Sequence, residues 1–298
     1  MKFVRPNFKP FSFFLILVSL IAGGFQQATT IRAQVDDQRD IISEDFLKNR
    51  PARSKSSKGP SKPRSEYKQA TTSTKPFDRS RLHVGLTIWK LEPATAGFSA
   101  GERAVYEVDR NKLEWIPRRV EAGARFSDGD SLRLSIETPR AGYLYVVNRD
   151  WLADGSFGET NLIFPIKGED NRLKPGKLID IPGHGEVPFR ATPKPKQSGE
   201  LLTFIVTSSP LPLPLSDRPL PISKTQLTEW EQKWGAEADR FEMNGGAGQT
   251  RTIEEQLAAS SEGTRQLTRE DPLPQTIYSL VPKNRNALLF NVVLSYVT

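Results

Sequence analysis

The 298-residue chain contains no cysteine and only two histidines. The first absence excludes disulfides, thiolate nucleophiles, zinc–thiolate sites and a lipid-modified cysteine. The second leaves little for acid–base chemistry near neutral pH, which histidine supplies most often. His83 falls in a strand-like stretch, on the face opposite Val84 and Leu86, and His184 in the turn-like Pro182–Gly185. No G-x-S-x-G elbow accompanies either; Asp154–Gly158 matches one in composition alone. Long apolar runs are also scarce. The main one, Phe11–Ile21, is shorter than the roughly 20 residues a spanning helix needs.

Other chemistries are equally thin. Carboxylate pairs at Asp128/Asp130 and Glu169/Asp170 could serve a hydrolase. Turns of any domain this size carry such pairs, so no catalytic residue is assigned. Asp150–Gly155 has the first, fifth and sixth residues of a calcium loop, but Leu152 stands at the third ligand position and Asn161 where the bidentate Glu belongs. It is better explained as a hairpin turn. Gly245–Gly248 follows a helical stretch and lacks Lys-Ser/Thr, so it is a helix stop and not a phosphate loop. No metal or cofactor is expected.

What the chain does have begins with charge. Its formal +7 is uneven. Eight basic residues (Arg50, Arg53, Lys55, Lys58, Lys62, Arg64, Lys68 and Lys75) face only Glu66 between positions 50 and 75. From Pro76 onward 28 basic residues meet 29 acidic ones, so the body is nearly neutral and nucleic acid is not an expected partner. Lys2, Arg5 and Lys9, then the apolar run, then polar and small residues to Gln34 have the order of a secretory signal peptide. Cleavage after Ala28 or, preferably, Ala33 fits the small-residue rule, and retention of the segment as an anchor is the alternative. The expected location is secreted or periplasmic, with no stable membrane span once the signal is removed.

The chain therefore divides into a signal peptide at 1–33, a basic linker at 34–80 and a β domain at 81–298. Val35–Ser80 is rich in Ser, Lys, Arg, Pro, Thr and Gln, and is expected to be disordered. It is either a solvated spacer or an arm for an anionic surface, where each basic residue contributes about 1 kcal/mol.

Strand signals follow at Leu82–Leu91, Arg103–Val108, Trp115–Val120 and Ser131–Glu137. In the last, Leu132, Leu134 and Ile136 should point inward and Arg133, Ser135 and Glu137 toward water. Tyr143–Val147 has the continuous apolar character of a central strand. Further strands are expected at Asn161–Phe164, Lys177–Ile181, Leu201–Thr207, Thr276–Leu280 and Ala287–Val297. Together they imply a mainly β fold, an antiparallel immunoglobulin-like β-sandwich.

One or two helices interrupt the strands before the last pair. Ser223 with Gln226 forms a capping box, Ile222 and Leu227 a staple, and Leu227, Trp230, Trp234 and Phe241 one helical face ending before Asn244. That stripe is expected to be core. A second short helix should start at Thr252/Glu255 and end near Ser260. Pro210–Leu215 is expected as a polyproline connector. The candidate binding residues are Arg149, Asp150, Trp151 and Asp154, placed on a loop after the central strand.

Phe126, Gly129-Asp130, the strand SLRLSIE, GYLYVVNRD, Asn161–Pro165, Pro175-Gly176, Ile181-Pro182 and LLTFIVTS occur in one order between Gly123 and Ser209. In that order they resemble a bacterial family catalogued as domain of unknown function 4384. LTEWEQKW and DPLPQTIY look like the extensions of a longer exported variant. The resemblance implies an extracytoplasmic β module and supplies no catalytic residue. The expected function is a non-catalytic exported module that binds or scaffolds an envelope protein or glycan. The alternative is an envelope hydrolase built on a carboxylate pair.

Overall fold

The computed structural model describes residues 24–52, 81–94, 104–108, 111–183, 187–260 and 265–297, with side chains from Asp36 in the first helix and from Trp115 in the third strand. The chain forms two units, Met1–Gln38 and Arg39–Thr298. Of the first, the described part is the opening of helix α1, Gly24–Lys48. The basic run at 53–75 and His184 lie outside the described residues, as does the apolar run at 11–21. No helix among the described residues is long and apolar enough to cross a membrane.

The larger unit is an antiparallel β-sandwich with a few helices, as expected. Its strands are β1 Leu82–Pro93, β2 Ala104–Val108, β3 Asn111–Val120, β4 Arg125–Phe126, β5 Ser131–Glu137, β6 Gly142–Leu152, β7 Phe157–Phe164 and β8 Arg172–Leu173. They continue as β9 Ile179–Ile181, β10 Phe189–Arg190, β11 Gln197–Thr207, β12 Leu220–Pro221, β13 Glu237–Glu242, β14 Thr276–Val281 and β15 Ala287–Tyr296. Helix α2 is Lys224–Trp234 and α3 is Ile253–Ala259. The first sheet runs β10-β5-β1-β14-β13, with β3 and β2 continuing from β1 and β9 alongside β5. The second runs β12-β7-β6-β11-β15-β4, with β8 on β6.

The inner faces meet in one apolar core. Val84, Leu86 and Ile88 of β1 and Leu132, Leu134 and Ile136 of β5 face Leu144, Val146, Leu202, Phe204 and Phe290 of the second sheet. Phe204 and Phe290 stack at 5.2 Å. Period-2 alternation placed the residues of β1 and β5 correctly because each of these strands has one face on this core.

The outer face of the second sheet carries its own apolar layer. Leu227, Trp230 and Trp234 of α2 pack on Tyr145, Val147, Leu162, Ile205 and Leu289, and the two indoles stack at 5.7 Å. Leu211, Leu213 and Leu215 of the proline-rich connector cover the same cluster, and Leu211 N–H donates to the Tyr145 hydroxyl at 2.7 Å. Ser223 caps α2 by accepting from Gln226 N–H at 3.1 Å, and Thr252 and Glu255 form the full capping box of α3. Phe241 is not on the α2 face. Gly235 ends the helix, Ala236 N–H bonds Leu289 O at 2.8 Å, and the chain re-enters the first sheet as β13 beside β14. Spacing of i+14 fits a helix, but the strand pairing satisfies the same backbone groups and sends Phe241 to a different apolar cluster.

The outer face of the first sheet departs most from expectation. Arg133, Ser135 and Glu137 do not face water; they are 0%, 2% and 1% exposed. A cover made by the end of α1, α3 and the segment 265–275 lies over them. The disorder expected from Val35 does not hold up to Ala52. Helix α1 runs to Lys48, and Phe46 is buried with Met243 and Ile277. Gly85 permits that approach: a Cβ there would sit 2.9 Å from Phe46 Cζ. Four apolar residues (Ile41, Ile42, Phe46 and Leu47) are too few for an independent core, but Phe46 fills a vacancy left by the sheet.

Beneath this cover lies a buried ionic layer. Arg50 binds Glu137 with two hydrogen bonds, 2.8 Å from Nε and 2.7 Å from Nη2, and donates to the carbonyls of Thr268, Asp271 and Pro272. Arg251 makes a fork to Asp180 at 2.8 and 3.0 Å, and Arg133 Nη1 stands 3.7 Å from the same carboxylate. Ser135 donates to Asp180 at 2.6 Å and accepts from the Trp89 indole at 2.8 Å. Arg119 pairs with Glu255, and the guanidinium groups of Arg119 and Arg251 lie 5.3 and 5.5 Å from the Trp89 ring. Burial alone would raise the Asp180 pKa, but Arg251 and Arg133 hold it below the ordinary carboxylate value.

His83 closes the layer at its edge. Its Nε2 is 2.9 Å from Asp45 Oδ2, joining β1 to the last turns of α1, and its Nδ1 is buried without a hydrogen-bond partner. Burial lowers the His83 pKa below 6.5, Arg81 and Arg140 lower it further, and Asp45 opposes them. Burial raises Asp45, against His83, Lys48 and Arg140. A histidine lowered in the folded state stays neutral where the opened segment would already take a proton. The docked end of α1 is therefore stable above pH 6.5 and loosens as pH falls through that value, while Asp45 acts in the opposite sense nearer 3.8. Amide exchange over residues 42–50, corrected for intrinsic rates, should rise from pH 7 to 5.5. His83→Gln should remove that rise.

Candidate functional site

The strongest candidate site is the polar end of the second sheet's inner face. Along β6, Leu144 and Val146 are in the shared core, and the next two residues on the same face, Asn148 and Asp150, line a cleft. Along β11, Leu202 and Phe204 are core and Glu200 opens onto the cleft. Asn161 of β7, directly opposite Asn148, and Glu159 complete the floor. The loop after β10 supplies Thr192 and Lys194, and β11 begins with Gln197. Lys196 holds that loop in a turn with φ 67° and its carbonyl accepts from Ala153 N–H at 2.8 Å. The cleft is open at one side and measures about 240 Å³.

Its polar groups are mostly committed. Asp150 accepts from Lys194 Nζ at 2.7 Å and from Gln197 Nε2 at 3.1 Å. Gln197 also accepts from Lys194 N–H and donates to Gly199 O. Glu200 accepts from the Tyr296 hydroxyl at 2.5 Å; burial raises that phenol well above its ordinary value, and Glu200 adds to the shift. The hydrogen bond from Lys194 to Asp150 raises the lysine pKa, with further contributions from Glu159 and Glu200. Asn148 Oδ1 is buried and has no hydrogen-bond partner. Glu159 has no hydrogen-bond or ion-pair partner among the described residues.

The four residues expected from sequence do not converge. They lie on strand β6 and its turn, not on a loop. Asp150 lines the cleft. Arg149 points to the opposite face, where it donates to Glu231 at 2.7 Å and lies 4.6 Å from the Phe157 ring. Trp151 is half-buried on β6, opposite Phe157 in register. Asp154 is exposed in the β6–β7 turn; Ser156 donates to it through both hydroxyl and backbone, which lowers its pKa. Gly155 follows with φ 82°, the hairpin turn expected in place of a calcium loop. Alternation of side chains along β6 separates Arg149 and Trp151 from Asp150.

Sequence reasoning missed Asn148, Glu159, Asn161, Lys194, Gln197 and Glu200. The available signal was polar residues continuing the inner-face register of two core strands, at Asn148 and Asp150 and at Glu200.

The carboxylate pairs singled out from sequence serve turns. Asp130 accepts from Ser127 N–H and Lys90, Glu169 from Ile166 N–H, and Asp170 from Arg172 and Lys177. No group of three or more His, Asp or Glu among the described residues is placed to hold a metal ion. His83 is buried under the end of α1, away from the residues that line the cleft. Neither the protein-family models nor the curated proteins compared with this chain match it.

Proposed function

We propose that the chain is an exported, non-catalytic β-sandwich module that binds a glycan of the cell envelope in the cleft formed by β6, β7 and β11. The observation that carries the reading is the cleft's almost wholly polar lining, held on the ends of core strands. Rigid strands fix amide and carboxylate oxygens without the ordering cost a loop would impose. At about 240 Å³ the cleft lies below the roughly 300–1,000 Å³ of most small-molecule pockets, which suits a single sugar ring. The n-, h- and c-region order at the N-terminus supports export, secreted or periplasmic, and the resemblance over Gly123–Ser209 agrees with an extracytoplasmic module.

A hydrolase reading needs two carboxyl groups free to act on one bond. In the cleft Asp150 is committed to Lys194 and Gln197, and Glu200 to Tyr296, leaving Glu159 alone. The arrangement therefore favours binding over cleavage.

The test is a glycan array probed with the full chain and with Thr192→Trp, an exposed substitution at the cleft that leaves the core intact. The reading expects a defined set of bound glycans, lost in Thr192→Trp while the thermal midpoint is unchanged. A folded protein that binds no glycan, or that binds equally well with the cleft filled, would overturn it.

A further inference from the structure

We propose that Met243 is a reversible oxidation site for peroxides, and that its sulfoxide releases residues 39–52 from the first sheet. The chain has no cysteine and two methionines, Met1 and Met243. Met243 therefore holds the only sulfur of the unit Arg39–Thr298. On α1, Arg39, Ser43 and Phe46 recur at i, i+4 and i+7 and so share one helical face. That face meets the turn after β13. Arg39 Nη1 donates to Asn244 Oδ1 at 3.0 Å, the Ser43 hydroxyl donates to Met243 Sδ at 3.3 Å, and Phe46 joins Met243 in one apolar cluster. Ile42, Phe241, Leu273 and Ile277 complete that seat.

The reaction is a two-electron transfer of oxygen. A sulfur lone pair attacks one peroxide oxygen, and the O–O bond breaks as the S–O bond forms. The departing oxygen takes the proton of the transferred one and leaves as water or an alcohol. A sulfoxide reductase reverses the step: two thiols become a disulfide and the sulfoxide oxygen leaves as water. The product does not fit the docked seat. An oxygen added on the side of Sδ that faces Ser43 would stand far inside the distance at which two oxygens share a hydrogen, so Ser43 and its helix must move. An oxygen added on the other side enters the apolar cluster, where a strong acceptor without a donor is costly. Gln275 Nε2 cannot turn to it without giving up the Met243 carbonyl, which it holds at 3.2 Å. Undocking the segment relieves either product, while β13 and β14 stay paired through their own ladder. Met243 is 7% exposed and is followed by the exposed Asn244 and Gly245. Local opening of the segment is thus enough to admit peroxide, and oxidation then holds it open.

The experiment treats the full chain with hydrogen peroxide at neutral pH, locates the added oxygen by peptide mass, and follows tryptic cleavage after Lys48. Oxidation at Met243 should speed that cleavage by about tenfold or more while the circular dichroism of the strands is kept. Sulfoxide reductase with dithiothreitol should restore protection. Met243→Leu, a change close in volume, should be as protected as the wild type and stay so in peroxide. Met243→Gln, which puts a polar oxygen in the same seat, should be cut without any oxidant. Met243 sulfoxide with Lys48 still protected would overturn the proposal. So would a peroxide effect that persists in Met243→Leu, or a Met243 that takes up oxygen only when the strands unfold as well.

Discussion

Asp180→Asn should lower the unfolding free energy by about 3–5 kcal/mol, the cost of leaving buried charges without their partner. Asp180 is 4% exposed; it accepts hydrogen bonds from Arg251 and Ser135, and Arg133 Nη1 stands 3.7 Å away as a second cation. The amide keeps the shape and removes the charge, so the guanidinium groups lose their counter-ion in a place water does not reach. Urea unfolding followed by intrinsic tryptophan fluorescence measures it, through a lower midpoint at unchanged slope. Adding Arg251→Met to Asp180→Asn should recover part of the loss, because a cation that needed the carboxylate is gone. A change below about 1 kcal/mol would mean that the layer is solvated, since exposed ion pairs contribute no more than that. The pH dependence follows from the same contacts. Asp180 has a folded pKa below the ordinary 3.8, so its contribution is complete above that value and is lost as pH falls through the folded pKa. The wild type should lose this increment on acidification, and Asp180→Asn should lack it.

Phe46→Ala should be nearly as costly, at about 3–5 kcal/mol for a fully buried aromatic. The ring is 0% exposed, packed with Met243 and Ile277 over Gly85, and Arg50 lies 5.7 Å from its centre. Its loss should be local before it is global. The contacts of residues 39–52 with the rest of the unit include Ile42 and Phe46 in one apolar cluster, the Asp45–His83 pair, Ser43 on Met243, and Arg50 on Glu137 and three carbonyls. Limited proteolysis with trypsin should cut Phe46→Ala after Lys48 while the strands stay intact. In the wild type that site should be protected at neutral pH. Equal protection in both would show that the polar contacts of the segment hold it without the ring.

These two residues mark where sequence reading worked and where it stopped. Val84, Leu86, Ile88, Leu134 and Ile136 were legible as core because alternation on a strand is a local property. The caps at Ser223 and Thr252 and the tryptophan stripe of α2 were legible for the same reason. Arg133, Ser135 and Glu137 alternate in the same way, yet their side of the sheet is covered. Nothing within Ser131–Glu137 shows that Arg50, Arg251 and Asp180, distant in sequence, supply the partners. Disorder before Ser80 was inferred from scarce apolar residues. Phe46 meeting Gly85 on β1, together with the Asp45–His83 pair and the Arg50 fork to Glu137, orders the stretch up to residue 52.

The candidate site divides in the same manner. Asp150 was found, but Arg149 and Trp151 share its strand and face the other way, and Asp154 belongs to the turn. Lys194 enters through a loop some forty residues on, Gln197 at the start of β11, and Glu200 through cross-strand register with Asp150. By itself the sequence determined the long strands of the core, the helix caps, the inner core and the lack of thiol chemistry, because each follows from local composition or short-range periodicity. Only the tertiary structure decided which second faces are covered, which charges are buried together and which polar groups share a cleft, because those depend on contacts between segments that no local pattern encodes.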